Sequence, residues 1–294
     1  MFVTVLGSAA GGGVPQWNCG CENCVDAREG RAPRRTQSSL AVSADGDRWI
    51  LVNVSPDISH QISATPTLWP RARRETPIAG AIFTDANVDH VGGLAELRQD
   101  GSHQFRFYSS RTVKRILQEQ PAFARFMQAP HEWTELAADE SRTLDGGITL
   151  RALAVAGTTP GYAGREALDD AVFSYVLTDV ETQRRALIAP VFADLGDPLR
   201  RELGRVDVAF LDGTFFSEDE LSSGGFMEKP ASYLGHAPLA GANGTLAGLR
   251  NARARVILTH INNTNPILRS GSRAAQDVGH AGCEIAYDSM CVEV

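Results

Sequence analysis

No stretch of the 294 residues approaches the roughly 20 consecutive apolar positions that a membrane-spanning helix needs. The first thirteen residues contain no basic side chain, and their apolar run at 2–6 is too short for the core of an export signal, so a cytoplasmic protein is expected. Positive charge is not in excess either. The net charge is −7 with both signs mixed along the chain, which argues against nucleic-acid binding, where phosphate is met by a basic face. Cysteine is scarce at 5 residues and odd in number; with Cys19, Cys21 and Cys24 packed together, no disulfide framework is implied. Low-complexity segments and linkers are missing too. The glycine-rich stretch at 7–13 lacks the Lys-Ser/Thr of a phosphate-binding loop and reads as a tight turn needing unusual backbone angles.

What is present is a soluble composition, 43% hydrophobic and 21% charged, with enough apolar residues for a sizeable core. Apolar or β-branched runs at 3–6, 38–42, 49–54, 79–83, 105–108, 149–155, 171–177, 185–188, 206–211 and 256–259 read as strands. Asp45-Gly46 between the second and third makes them a plausible hairpin. Helical spacing follows at 91–97, 112–118 and 122–127, and a helix can start at Ile58. Strand-rich runs with interspersed helices occur in both halves, which predicts an α/β sandwich of two sheets covered by helices. The stretch 222–230 is expected to be a mobile loop.

Three predicted strands end in metal-ligand chemistry. The first feeds Thr84-Asp85-Ala86-Asn87-Val88-Asp89-His90, the second ends at Asp212 and the third at His260. Strand ends are where α/β folds present site residues, and imidazole with carboxylate suits a divalent ion. Each residue taken alone could be a helix cap or a satisfied loop histidine; together Asp89, His90, Asp212 and His260 read as one metal site. Two histidines with one or two carboxylates and open positions are the donor set of non-haem Fe(II) oxygenases, although a single-zinc hydrolase remains open. His236 is a candidate proton donor, against the alternative of a loop histidine bonded to backbone. Asp85 and Asn87 are expected to face the same cavity and to touch substrate, or else merely to fill space. Cys19, Cys21 and Cys24, with a glycine between the first two, suit a tetrahedral structural zinc on a loop at 19–24, against a redox pair. Its fourth ligand is open among Asn263, His280, Cys283, a carboxylate and water. Cys283 and Cys291 read as small buried hydrophobes, and Trp17 as a packing residue.

The segment 84–90 resembles the H-x-H-x-D-H motif of the metallo-β-lactamase superfamily, with Asp85 and Asn87 standing where its first two histidines would be. The third first-site histidine would fall near 156–160, which has none. Stretches 7–16, 19–24, Leu211-Asp212-Gly213-Thr214-Phe215, Gly235-His236-Ala237-Pro238 and the long run from His260 to Leu268 resemble the coenzyme pyrroloquinoline quinone (PQQ) synthesis protein B family, from end to end of the chain. The resemblance implies a single metallo-β-lactamase-like αββα domain over 1–294, two mixed sheets flanked by helices. It also implies an Fe(II)-dependent hydroxylase acting on the tyrosine ring of a cross-linked glutamate–tyrosine intermediate, a small amino-acid-derived PQQ precursor. The related tRNA-processing hydrolases of this fold place a proton-donating histidine at the position of His236, and related phosphodiesterases carry a similar cysteine cluster as structural zinc. An alternative role for the family is carrying PQQ or its precursor towards the periplasm. The lack of a membrane segment argues against a transporter proper and leaves a soluble carrier possible. Other proteins of the same biosynthesis are conceivable partners.

Overall fold

The structure, a computed structural model, describes residues 1–99, 103–242, 244–250 and 252–294. Its first half lays down β1 (Phe2–Gly7), β2 (Ser39–Ser43), β3 (Trp49–Val52), β4 (Ile78–Ile82), β5 (Arg106–Ser110) and β6 (Glu132–Leu136). The second adds β7 (Ser141–Thr143), β8 (Ile148–Ala154), β9 (Phe173–Asp179), β10 (Arg185–Ala189), β11 (Val208–Asp212), β12 (Arg255–Thr259), β13 (Cys283–Ile285) and β14 (Cys291–Glu293). They form two seven-stranded sheets, ordered β14-β1-β2-β3-β4-β5-β6 and β13-β12-β11-β10-β9-β8-β7. Both halves repeat one plan. β1–β3 and β8–β10 pair antiparallel, and β3–β6 and β10–β13 pair parallel.

The central strands are buried on both faces, so their side chains alternate between two cores. Val3, Val5, Leu40, Val42, Ile50, Val52, Leu150, Tyr175, Ile188 and Phe210 point between the sheets. The intervening Ala41, Leu51, Ala81 and Phe107 face outward against Ile58 of α2 (Ile58–Ala64) and Val113, Ile116 and Leu117 of α4 (Arg111–Gln118). On the other side Ala209, Leu211, Val256 and Leu258 pack on α5 (Asp197–Leu203), α7 (Thr245–Leu249) and α8 (Arg273–His280). The result is the expected αββα sandwich. Truncating a central aromatic such as Phe210, 0% exposed, would cost about 3–5 kcal/mol. Among the described residues no helix is long and apolar enough to cross a membrane.

The β2–β3 hairpin forms in the register Leu40↔Val52 and Ala41↔Leu51. The helical spacing at 91–97 is realised differently. A single turn, α3 (Val88–Val91), passes into a 3-10 stretch at Gly92–Gln99. Gly93 lies so close to the end of β3 that a Cβ there would sit 1.9 Å from the Ser55 carbonyl oxygen, while the Gly93 N–H donates to Val54. The segment 122–127 is likewise 3-10, within Pro121–Met127. Sequence reading misses β6, β7, β13 and β14, which are the four edge strands of the two sheets, mostly short and polar. The stretch 222–230 leaves α6 (Glu220–Ser223) as turns. Cys283 is buried, but Cys291 is exposed, and Trp17 is 87% exposed rather than packed; neither fits the sequence reading.

Candidate metal centre

All the candidate ligands sit at or beyond the carboxyl ends of parallel strands. His90 and Asp89 follow β4, Asp212 ends β11, and His260 follows β12 with φ +56, a left-handed backbone that a non-glycine residue adopts only where its surroundings enforce it. Gly11 of the glycine-rich loop abuts the site, since a Cβ there would lie 3.3 Å from Asp89 Oδ2. Gly12 and Gly13 make the tight turn with φ +92 and +68.

One donor atom each from Asp89, His90 and His260 lies within 4.8 Å of the others, and the same holds for Asp212, His236 and His260. The two triads share His260. His260 Nε2 is 3.1 Å from Asp89 Oδ2, whereas His90 Nε2 is 3.9 Å from that oxygen. His90 Nε2 is buried and has no hydrogen-bond partner among the described residues.

The far nitrogens of both rings are held. His90 Nδ1 is 2.7 Å from Asp85 Oδ2, and His260 Nδ1 is 2.7 Å from Thr214 Oγ1, whose hydroxyl lies 2.6 Å from Asp212 Oδ1. With Nδ1–H donating to Asp85 and to Thr214, each imidazole turns its Nε2 to the cluster, where a bound cation would take the Nε2 lone pair in place of a proton. His236 Nδ1 is tied to Asp212 Oδ2 at 2.8 Å, and its ring stacks on that of His260 with centroids 5.2 Å apart.

Electrostatics follow the packing. Burial opposes charge on Asp85, Asp89 and Asp212, yet neighbouring imidazoles and hydrogen bonds hold all three carboxyls below their usual range. Burial likewise works against a charged His90, but Asp85 and Asp89 push it up to about 9. His236 is raised by Asp212 in the same way, against its burial. His260 is lowered, by burial and by the two neighbouring histidines, despite its bond to Asp89. A buried set of carboxylates held ionised around imidazoles suits a divalent cation, which would take the place of the proton that His90 otherwise holds.

Asp85 departs from its expected place. It is 0% exposed, one oxygen accepts from the Asn87 backbone and side-chain N–H groups, and the other takes the Thr84 hydroxyl and His90. Its carboxylate therefore stands behind His90 and does not face the cavity. The reason is the neighbouring ring: a buried carboxylate needs a partner, and His90 supplies one. Asn87 does line the cavity, together with Asp89, His236, His260 and Thr214. Thr214, which links His260 to Asp212, was not singled out from sequence, although it stands inside the Asp212-Gly213-Thr214 turn. His60 is exposed, His103 bonds the Ile78 carbonyl and His131 stacks on Phe105, so these three stand outside the cluster.

The three cysteines also converge. Cys19, Cys21 and Cys24 sulfurs lie within 4.8 Å of one another, and the Asn263 side-chain amide nitrogen is 3.1, 3.5 and 3.4 Å from them. Of the fourth ligands left open, Asn263 is the one placed at the sulfurs. Burial pushes the Cys24 thiol up to about 11, with Cys21 beside it adding to the rise, so three thiolates on this loop call for a cation.

Known proteins match this arrangement. Residues 48–261 match the β-lactamase superfamily domain. Coenzyme PQQ synthesis protein B of Methylobacterium sp. (strain 4-46) is 39% identical, covering 99% of both chains, and that of Ruegeria pomeroyi is 34% identical over 99% of both. The crystal structure of Zn(2+)-bound PqqB from Methylobacterium extorquens superposes with a TM-score of 0.94 at 32% identity over 100% of both chains. A diphosphatase of the PhnP family shares the fold at a TM-score of 0.71 and 20% identity, over 100% of this chain and 97% of that one. The chain belongs to the coenzyme PQQ synthesis protein B family, within the metallo-β-lactamase superfamily.

Proposed function

We propose that this member of the PQQ biosynthesis family is a mononuclear Fe(II)-dependent hydroxylase, acting on the tyrosine ring of a cross-linked glutamate–tyrosine compound. The observation that carries the reading is the pair of backed imidazoles. His90 and His260 turn Nε2 to one point beside Asp89, Asp212 lies within 4.8 Å of a His260 donor atom, and His90 Nε2 has no hydrogen-bond partner among the described residues. Iron bound there would supply O₂ binding and activation. The chain's own residues do the rest. Asp89, His90, His260 and Asp212 hold the ion, Asp85 and Thr214 fix the ring tautomers, and Asn87 contacts substrate in the cavity. His236, anchored at Nδ1 by Asp212, exchanges a proton through Nε2.

The missing first-site histidines weigh against a two-metal hydrolase. Asp85 and Asn87 replace two of them, Asp85 is committed to His90, and 156–160 has none. The zinc in the Methylobacterium extorquens relative supports a divalent ion in this fold without choosing iron over zinc. Cys19, Cys21 and Cys24 form, in this reading, a separate structural zinc site, with the Asn263 amide donating to their sulfurs.

The test is anaerobic loading with Fe(II), then exposure to isotope-labelled O₂ with the cross-linked compound. The product should gain one or more oxygen atoms carrying the label. Label arriving only from water, or full activity with zinc alone, would establish the hydrolase instead. Tight PQQ binding without turnover, independent of the metal ligands, would establish a carrier.

A further inference from the structure

The loop that would carry the third first-site histidine still walls the cavity, through Thr158, Thr159, Pro160 and, beyond a 3-10 turn at Gly161–Ala163, Arg165. The cavity measures about 220 Å³. Among its described lining residues Arg165 is the only one with a guanidinium or ammonium group. The side chain is built into place. Its backbone is left-handed at φ +52, its Nη1 donates to the Tyr233 carbonyl at 2.8 Å, and its guanidinium carbon stands 4.8 Å from the centre of the Tyr233 ring. A Cβ on Gly161 would come within 3.4 Å of the other terminal nitrogen, so glycine there keeps that nitrogen uncovered.

No acidic partner of Arg165 occurs among the described residues, and the Thr158 hydroxyl makes no hydrogen bond among them. Asn87 donates a side-chain N–H to Asp85 and lines the cavity. A guanidinium offers five donors in a planar fork suited to a carboxylate, and here one is used.

We propose that Arg165 and Thr158 form a carboxylate-binding subsite that orients an amino-acid-derived substrate against the metal centre. Space that a second metal ion's ligands occupy in related hydrolases is, in this chain, given to an organic anion. The subsite rests on the reading of the substrate given above, but its test does not need turnover.

Binding is measured by calorimetry on zinc-loaded protein without O₂, using the cross-linked glutamate–tyrosine compound and an analogue whose carboxylates are carboxamides. Wild type should prefer the acid. Arg165→Gln should weaken the acid roughly 10- to 100-fold, as for a lost charge-assisted hydrogen bond, and leave the carboxamide unchanged. Arg165→Lys, which keeps the charge and loses the fork, should recover part of the difference. Unchanged zinc content and melting temperature separate this loss from misfolding. Equal binding of acid and carboxamide by wild type, no binding of the acid, or full affinity in Arg165→Gln overturns the subsite. So does displacement by inorganic phosphate far below the concentration at which succinate competes. Binding that follows Arg165, without hydroxylation once Fe(II) and O₂ are supplied, sinks the oxygenase reading and leaves the subsite standing. Hydroxylation by Arg165→Gln at wild-type KM does the reverse.

Discussion

A single loop carries His260 to Asp89 Oδ2 at 3.1 Å and, a few residues on, Asn263 to the three cysteine sulfurs. The two sites share a support. Asn23 in α1 (Glu22–Arg28) donates to the Asn263 and Asn265 carbonyls at 2.9 and 3.0 Å, and the Asn265 side chain donates to Gly213 and Thr214 beside Asp212. The cysteine loop thus braces the strand ends that hold the candidate ligands.

Replacing Cys21 with serine is therefore expected to lower zinc content and melting temperature, because a metal clip offsets the entropy of ordering an irregular loop. It should also weaken metal binding at the His/Asp cluster. Metal analysis and thermal melting check this. Thiols that titrate freely in the native protein, with no zinc present, would refute the structural site.

The sequence made the sandwich legible because its central strands are long apolar runs, such as 79–83 and 206–211, with chemistry at their ends. It pointed to Asp89, His90, Asp212 and His260 for the same reason, and the structure groups them as two triads that share His260, the second completed by His236. Asp85 was misjudged because pattern matching locates a residue along the chain and says nothing of which way it turns once a neighbouring imidazole competes for it. Arg165 carried no signal at all. A lone arginine in an irregular loop looks like a solvated charge until the loop folds over the cavity.

Thr214→Val should destabilise the protein by about 1–3 kcal/mol, since it leaves His260 Nδ1 and Asp212 Oδ1 short of a buried partner. Thr214→Ser keeps the hydroxyl and should be near wild type. Denaturant melts of both variants decide it; an unaffected valine variant would show that the tautomer is fixed some other way.

Glu220 gives a pH signature. Its carboxyl is 8% exposed, and burial pushes it up to about 7 from 4.5, although the Phe216 N–H and the Thr264 hydroxyl donate to it. The folded state then holds the proton that the unfolded state has released, so this group's contribution to stability is full below pH 4.5 and declines as pH rises to about 7. Glu220→Gln cannot ionise. The difference in melting temperature between variant and wild type should shift in the variant's favour from pH 5 to pH 8, and a flat difference across that range would count against it.

The last prediction separates the ligand from its support. His90→Ala removes one of the two imidazoles at the Asp89 side of the cluster, so Fe(II) binding and hydroxylation should both be lost. Asp85→Asn keeps the shape but not the charge behind His90 Nδ1. Partners of this kind, when removed, typically cost metal ligation or activity 10- to 100-fold rather than abolishing it. Asp85→Asn should therefore bind Fe(II) roughly 10- to 100-fold more weakly and recover hydroxylation at high iron, with KM for the substrate unchanged. That combination belongs to a residue acting through His90. A carboxylate that touched substrate would instead raise KM at full iron occupancy, and that outcome would return Asp85 to the cavity wall. Iron titrations followed by steady-state kinetics on the two variants distinguish the cases.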